Sequence, residues 1–275
     1  MQEKAEVKRR VKRIKNLPTL PGIVQKISSM VESPHTSSAD VGRLISQDQV
    51  LSAKVLRMAN SAFFGMSRKI SSITQALVIL GFDVVKGLVL TSSVFEMMKQ
   101  SMVGLWEHSV GCAAAAGVIA RRLGRPDAEE ILVAGLLHDL GKVVLSLEMP
   151  KEMAAIMKAA QTKQISFYEA EGEVLGFNHQ DVGLWLSEHW NLPDNLSEPM
   201  RYHHQPERAT NAPQETAIVH LADIIIRAKG FGFGGDDFVP PLSAPAWKIL
   251  GLKTKDFGGL IDELEPRLLN IGDYM

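Results

Sequence analysis

A chain of 275 residues and 30.2 kDa with 45% hydrophobic content is long enough to bury the core of one large domain or two medium ones, which excludes a disordered or peptide-sized module. Its 30 Lys and Arg residues against 31 Asp and Glu leave a formal charge of -1, so no global field draws it to nucleic acid or to an anionic membrane. A single cysteine, Cys112, excludes an intramolecular disulfide framework, and neither a signal peptide nor a run of 18 apolar residues is visible, so a cytoplasmic location without a membrane partner is expected.

The first fifteen residues are locally basic (Lys4, Lys8, Arg9, Arg10, Lys12, Arg13, Lys15), a pattern read as a solvated helix face. Helical periodicity then dominates, and alternating strand patterns are hard to find. Helices are expected at 21–33, 38–47, 50–60, 72–80 and 83–99, with Ser37, Ser38, Ser71 and Ser72 as start signals and Gly65 to Lys69 as a loop. A second series is expected at 104–123, 127–146, 151–161, 166–175, 180–190, 193–204 and 214–229. The glycine-rich stretch from Gly230 to Asp237 should be a loop, followed by helices near 245–251 and 255–270. The chain is therefore expected to be all-α, with an N-terminal helical bundle over 1–99 packed on a helical core over 100–275.

Several polar residues do not belong where periodicity puts them. His138 and Asp139 interrupt an apolar run from Ile131 to Leu145, where an unpaired carboxylate would cost on the order of 3 to 5 kcal/mol. A metal ion, a cation or a dense hydrogen-bond network must compensate it. His108 is in register with Cys112, Ala115 and Ile119; His179 with Val182, Gly183 and Leu186; Asp223 interrupts an Ile- and Val-rich helix; His203 and His204 close another. Any one of these reads as a hydrogen-bonded core residue, but together they place ligand-type side chains on several helices, the arrangement by which bundles hold metals. Imidazole with carboxylate suits divalent iron, manganese, zinc or nickel. Lys142, four residues after His138, either holds an anionic oxygen or snorkels to solvent, and His220, one turn before Asp223, could position a ligand. His35 and His189 have weaker cases.

No phosphate-cradling glycine motif is present, and Cys112 in its alanine-rich helix reads as packing rather than as a nucleophile. The helices at 38–47 and 50–60 have helix-turn-helix-like lengths, but without a basic recognition face nucleic acid is disfavoured as a partner.

The motifs Leu17-Pro18-Thr19-Leu20-Pro21, Asp48 to Ser61, Ile73 to Leu77 with Leu80-Gly81, Gly135 to Lys142, and Trp190-Asn191-Leu192-Pro193 with His203-His204 resemble the HD-related output domain (HDOD) family, within the HD superfamily of metal-dependent phosphohydrolases. The resemblance implies an all-α fold with an HD-like core, a signalling or regulatory role with a protein partner, and one or two divalent metals. By similarity to the HD-GYP phosphodiesterases, His108, His138 and Asp223 would serve one metal and His179, His203 and His204 the other. Asp139 would bridge them, and Lys142 would be the accompanying catalytic lysine. Where those enzymes carry Gly-Tyr-Pro this chain reads Gln205-Pro206-Glu207, which argues against cyclic di-GMP hydrolysis. The alternative implied is an active phosphohydrolase on another phosphate ester, with Asp139 and Lys142 at its centre.

Overall fold

The computed structural model describes residues 26–27, 30, 36–60 and 69–269, without the side chains of residues 50, 90 and 93–101. The basic N-terminal stretch, the Leu17 to Pro21 motif, His35, Phe63-Phe64 and most of the 21–33 helix lie outside the described residues, as does the expected Gly65 to Lys69 loop apart from Lys69. Among the described residues every regular element is helical, so the all-α expectation holds, and no helix is long and apolar enough to cross a membrane.

The N-terminal helices are α1 (Ser38–Ser46), α2 (Gln49–Ala59), α3 (Ile73–Leu80) and α4 (Phe82–Ser101). Their starts follow from capping chemistry. The Ser37 hydroxyl accepts from the Asp40 N–H while the Asp40 carboxylate accepts from the Ser37 N–H, Asp48 caps α2 through the Leu51 N–H, and Ser72 caps α3 through the Gln75 N–H. Gly81, at φ +86°, ends α3 and starts α4, a left-handed backbone angle that glycine adopts without Cβ strain. Helix α4 ends at Ser101, beside the boundary expected near residue 100.

The rest comprises α5 (Leu105–Arg122), α6 (Ala128–Leu137), α7 (Leu140–Glu148), α8 (Pro150–Lys163), α9 (Phe167–Leu175), α10 (His179–His189), α11 (Asp194–Tyr202), a short 3-10 turn (Pro206–Arg208), α12 (Pro213–Ala228), α13 (Ala244–Leu250) and α14 (Asp256–Leu269). Apolar side chains from both halves form one continuous core, to which α4 contributes Val84, Val85, Leu88 and Val89. The Lys86 ammonium of α4 also donates to the Asn191 carbonyl, 2.9 Å away, in the turn after α10.

Helix α5 is the centre of the packing. Its Ala113 to Ala116 run and the facing Gly135 let α5 and α6 approach until a Cβ on Gly135 would lie 2.9 Å from the Cys112 carbonyl. Gly141 does the same between α7 and α10, where a Cβ would fall 2.0 Å from the His179 carbonyl. Since the obstacle there is backbone, Gly141→Ala must push the start of α10 away. We expect a loss of about 1 to 3 kcal/mol or more, read as a lower urea midpoint with unchanged helicity.

Candidate metal centre

The sequence suggested one helix over 127–146; the structure breaks it at His138 and Asp139, which form the turn between α6 and α7. On an unbroken helix consecutive side chains diverge by about 100°, so two neighbours could not serve one cavity. The turn, with Asp139 at φ -97° and ψ 11°, brings both inward. His179 is placed by the cap of α10: the Asn178 side chain accepts from the Gln180 and Asp181 N–H groups and fixes the first helical residue. His203 caps α11, and the Pro199 carbonyl accepts from both its backbone N–H (3.2 Å) and its Nδ1 (2.9 Å). His108 comes from α5 and Asp223 from α12.

Of the seven ligand-type residues singled out in the sequence, four histidines lie within 3.6 Å of the fifth, Asp139, and the other two, His204 and Asp223, join them through Asp223. Asp139 Oδ2 lies 3.3 Å from His138 Nε2 and 3.5 Å from His108 Nε2; its Oδ1 lies 3.4 Å from His179 Nε2 and 3.6 Å from His203 Nε2. Asp223 also reaches both sides, with Oδ1 3.2 Å from His108 Nε2 and Oδ2 4.0 Å from His204 Nδ1. Three overlapping groups result, one of them His138, Asp139 and His203, which spans the other two. The ligand atoms of His108, His138 and Asp223, joined by the Cys112 sulfur, all lie within 4.8 Å of one another, and so do those of His179, His203 and His204.

Lys142 does not snorkel. It is 2% exposed, and its Nζ donates to Asp139 Oδ2 at 2.6 Å and to the Gly234 carbonyl at 2.7 Å. That ion pair sits in a medium where charges attract strongly but are expensive to desolvate.

The tautomers carry the sharpest information. His138 Nδ1 faces the Gly135 carbonyl at 2.7 Å, His203 Nδ1 faces the Pro199 carbonyl, and His179 Nδ1 faces Glu171 Oε2 at 2.5 Å. A carbonyl only accepts, so Nδ1 carries the proton in His138 and His203, and the same orientation suits His179. The Nε2 lone pairs therefore point inward. His179 Nε2 and His203 Nε2 face each other at 3.2 Å, and His138 Nε2 and Asp139 Oδ1 make no hydrogen bond although both are buried. Converging lone pairs around a carboxylate repel unless a cation lies among them, and imidazoles held through their other nitrogen are the usual form of metal-ligating histidine. The donor set fits a divalent metal.

The electrostatics agree for His108, His179, His203 and His204. Burial pushes His179 and His203 well below the ordinary histidine value, lowers His108, and takes His204 to about 3, so these rings are neutral. Burial works against the charged form of Asp139, but His138 and Lys142 outweigh it and hold the carboxyl well below its usual range; the hydrogen bond from His108, with Arg227, does the same for Asp223. In His138 burial again opposes charge, and the Asp139 carboxylate overcomes it and raises the ring.

Sequence reasoning missed the residues that hold this cluster from outside. Glu171 is buried and binds His179 from α9. His220 donates from Nδ1 to the His203 carbonyl at 2.7 Å and accepts the Ser243 N–H at Nε2, the positioning role its spacing had suggested. The glycine-rich loop is a strap over the site. Gly232 lies against the His108 backbone, Gly234 accepts from Lys142, and Asp236 accepts from Arg227 at 2.9 Å and from the Phe167 N–H at 2.5 Å. A cavity of about 420 Å3 lined by His108, Arg227 and the strap adjoins the site. Glycine composition marks such a loop, but nothing in a linear pattern says what it covers.

The comparisons with known proteins fit this arrangement. The family model describing the HDOD domain matches residues 17–206. The crystal structure of an HDOD-domain protein of unknown function from Geobacter sulfurreducens is 30% identical, with a TM-score of 0.73 over 97% of this chain and 96% of that one. A Shewanella amazonensis SB2B protein provisionally named a phosphohydrolase is 25% identical, with a TM-score of 0.68 over 95% of this chain and 96% of that one. An uncharacterized protein of Treponema pallidum (strain Nichols) is 28% identical over 227 residues, which is 78% of this chain and only 43% of that relative's length.

Proposed function

Since the chain belongs to the HDOD family, we propose that it is a signalling or regulatory protein whose HD-like core holds one or two divalent metal ions around Asp139. The observation that carries this reading is the set of three inward-facing Nε2 lone pairs about a buried carboxylate, each ring anchored through Nδ1. His108, His138 and Asp223 would hold one ion, His179, His203 and His204 the other, with Asp139 between them. Iron, manganese, zinc and nickel all suit imidazole with carboxylate.

Burial favours regulation over turnover. His108, His138, Asp139, His179 and His203 are at most 1% exposed, so an ester phosphorus does not reach the carboxylate while the strap is in place. HDOD domains are regarded mostly as output modules, and a sealed, metal-loaded core suits a scaffold that presents a surface to a protein partner. Elemental analysis of anaerobically purified full-length protein tests this directly. One or two equivalents of transition metal are expected; protein that folds and works without any retained metal would remove the ion from the account.

A second reading, a metal-dependent phosphohydrolase, is favoured by one specific feature. The cavity beside His108 is also lined by Arg227, so one cation borders a place where a phosphate ester could approach, with Lys142 buried behind the Asp139 carboxylate. A metal there would supply Lewis acidity and an activated water. Arg227 would neutralise charge on the ester oxygens, while the neutral histidines would remain ligands and carry no proton. Metal-dependent turnover on a panel of nucleotides and simple phosphate esters, abolished in His179→Ala, is the expected result on this reading; a metal-loaded protein inert to the whole panel would exclude it.

A further inference from the structure

Resting on the metal reading above, we infer that the two ion positions are unlike, because Cys112 supplies a thiolate as a further ligand to the position formed by His108, His138 and Asp223. Cys112 follows His108 by four residues on α5, so both side chains leave the same helix face one turn apart. Its sulfur lies 3.6 Å from His108 Nε2 and within 4.8 Å of the ligand atoms of His138 and Asp223. The side chain is fully buried, and the close α5–α6 approach at Gly135 sets it opposite the start of the His138 turn. An independent observation points to a ligand there: His138 Nε2, in the same group and also fully buried, has no hydrogen-bond partner.

Two imidazoles, the Asp223 carboxylate and a thiolate, with the shared Asp139 Oδ2 beside them, would give this position more protein ligands than the four of a structural zinc site. The group around His179, His203 and His204 offers three imidazoles and an oxygen of Asp139 and contains no sulfur. The thiolate position therefore selects zinc, cobalt or ferrous iron over manganese or magnesium, while the all-imidazole position does not discriminate in that way. The cysteine binds as its anion, so occupancy of this position releases the thiol proton to solvent. The sulfur-containing position is thereby the one that holds its ion through a thiolate, and the other is not.

Cobalt(II) titration of the metal-stripped full-length protein reads this without any activity assay. The wild type is expected to show a thiolate-to-cobalt charge-transfer band in the near ultraviolet, saturating at one equivalent. Cys112→Ser should lose that band, keep the visible ligand-field bands of the remaining cobalt, and give up zinc to a chelator at least about tenfold more readily. Stoichiometric cobalt binding by the wild type without the charge-transfer band would overturn the inference and leave the metal reading standing; no cobalt binding at all would overturn both. If Cys112→Ser does not fold, the wild-type spectrum alone decides.

Discussion

Asp139→Asn is expected to destabilise the metal-free chain by roughly 3–5 kcal/mol and to abolish metal retention. The substitution is nearly isosteric, so packing is unchanged. What disappears is the negative charge that holds Lys142, 2% exposed and 2.6 Å away, together with the raised proton affinity of His138. An ammonium left in an apolar interior without its counter-charge is the larger of the two losses. Urea denaturation with chelator present measures it. Adding Lys142→Met to Asp139→Asn should recover most of the loss, because the orphaned cation is then gone as well. A single variant that melts within about 1 kcal/mol of its parent would show that this ion pair does not organise the core.

Acidification is expected to unfold the metal-free protein well above the pH at which its carboxylates titrate. Burial lowers the folded-state pKa of His108, His179, His203 and His204, the last to about 3. As pH falls below about 6.5 the unfolded chain takes up these protons and the folded chain does not, so stability declines across the whole interval down to each folded value. Each group contributes up to about 1.4 kcal/mol per pH unit while the difference is complete. Glu171 acts in the opposite sense: burial raises its pKa well above 4.5, so the folded chain holds a proton the unfolded chain has lost, and stability rises as pH falls through that range. With His220, also lowered by burial, and Glu130, also raised by it, five histidines stand against two carboxyls, which leaves a net loss between about pH 6.5 and 4.5. Asp139 and Asp223, held well below 3.8, add their loss only in stronger acid. Urea midpoints in chelator at several pH values measure the slope, and a flat or rising trend on acidification would contradict the neutral-histidine assignment.

The fold was legible because its helices announce themselves at their ends. Of the four serines read as start signals, Ser37 and Ser72 cap helices in the structure and Ser38 and Ser71 flank those caps, and the apolar stripes that follow fix which face is buried. His108 and His179 were legible for the same reason, since their register with alanines and valines could mean only an inward face. The break at His138-Asp139 was not, because the apolar pattern continues on both sides without a proline, and Asp139 stands at the cap position of α7 without making a side-chain cap hydrogen bond. Glu171, Arg227 and Gly234 were invisible for a different reason. Their roles depend on partners 8 residues away for Glu171 and 92 away for Gly234, and periodicity reports which way a side chain faces, not what it meets. Lys142 combines both difficulties, since its burial depends on Gly234 from the distant strap as much as on its own helix.

The strap also governs time. An ion held against Asp139 can leave only after Lys142 releases the Gly234 carbonyl and Asp236 releases both Arg227 and the Phe167 amide, contacts that must break nearly together. On the metal reading, escape would then require opening of the segment as well as rupture of the ion's own ligand bonds. On that reading the strap would set the pace at which the ions exchange with their surroundings.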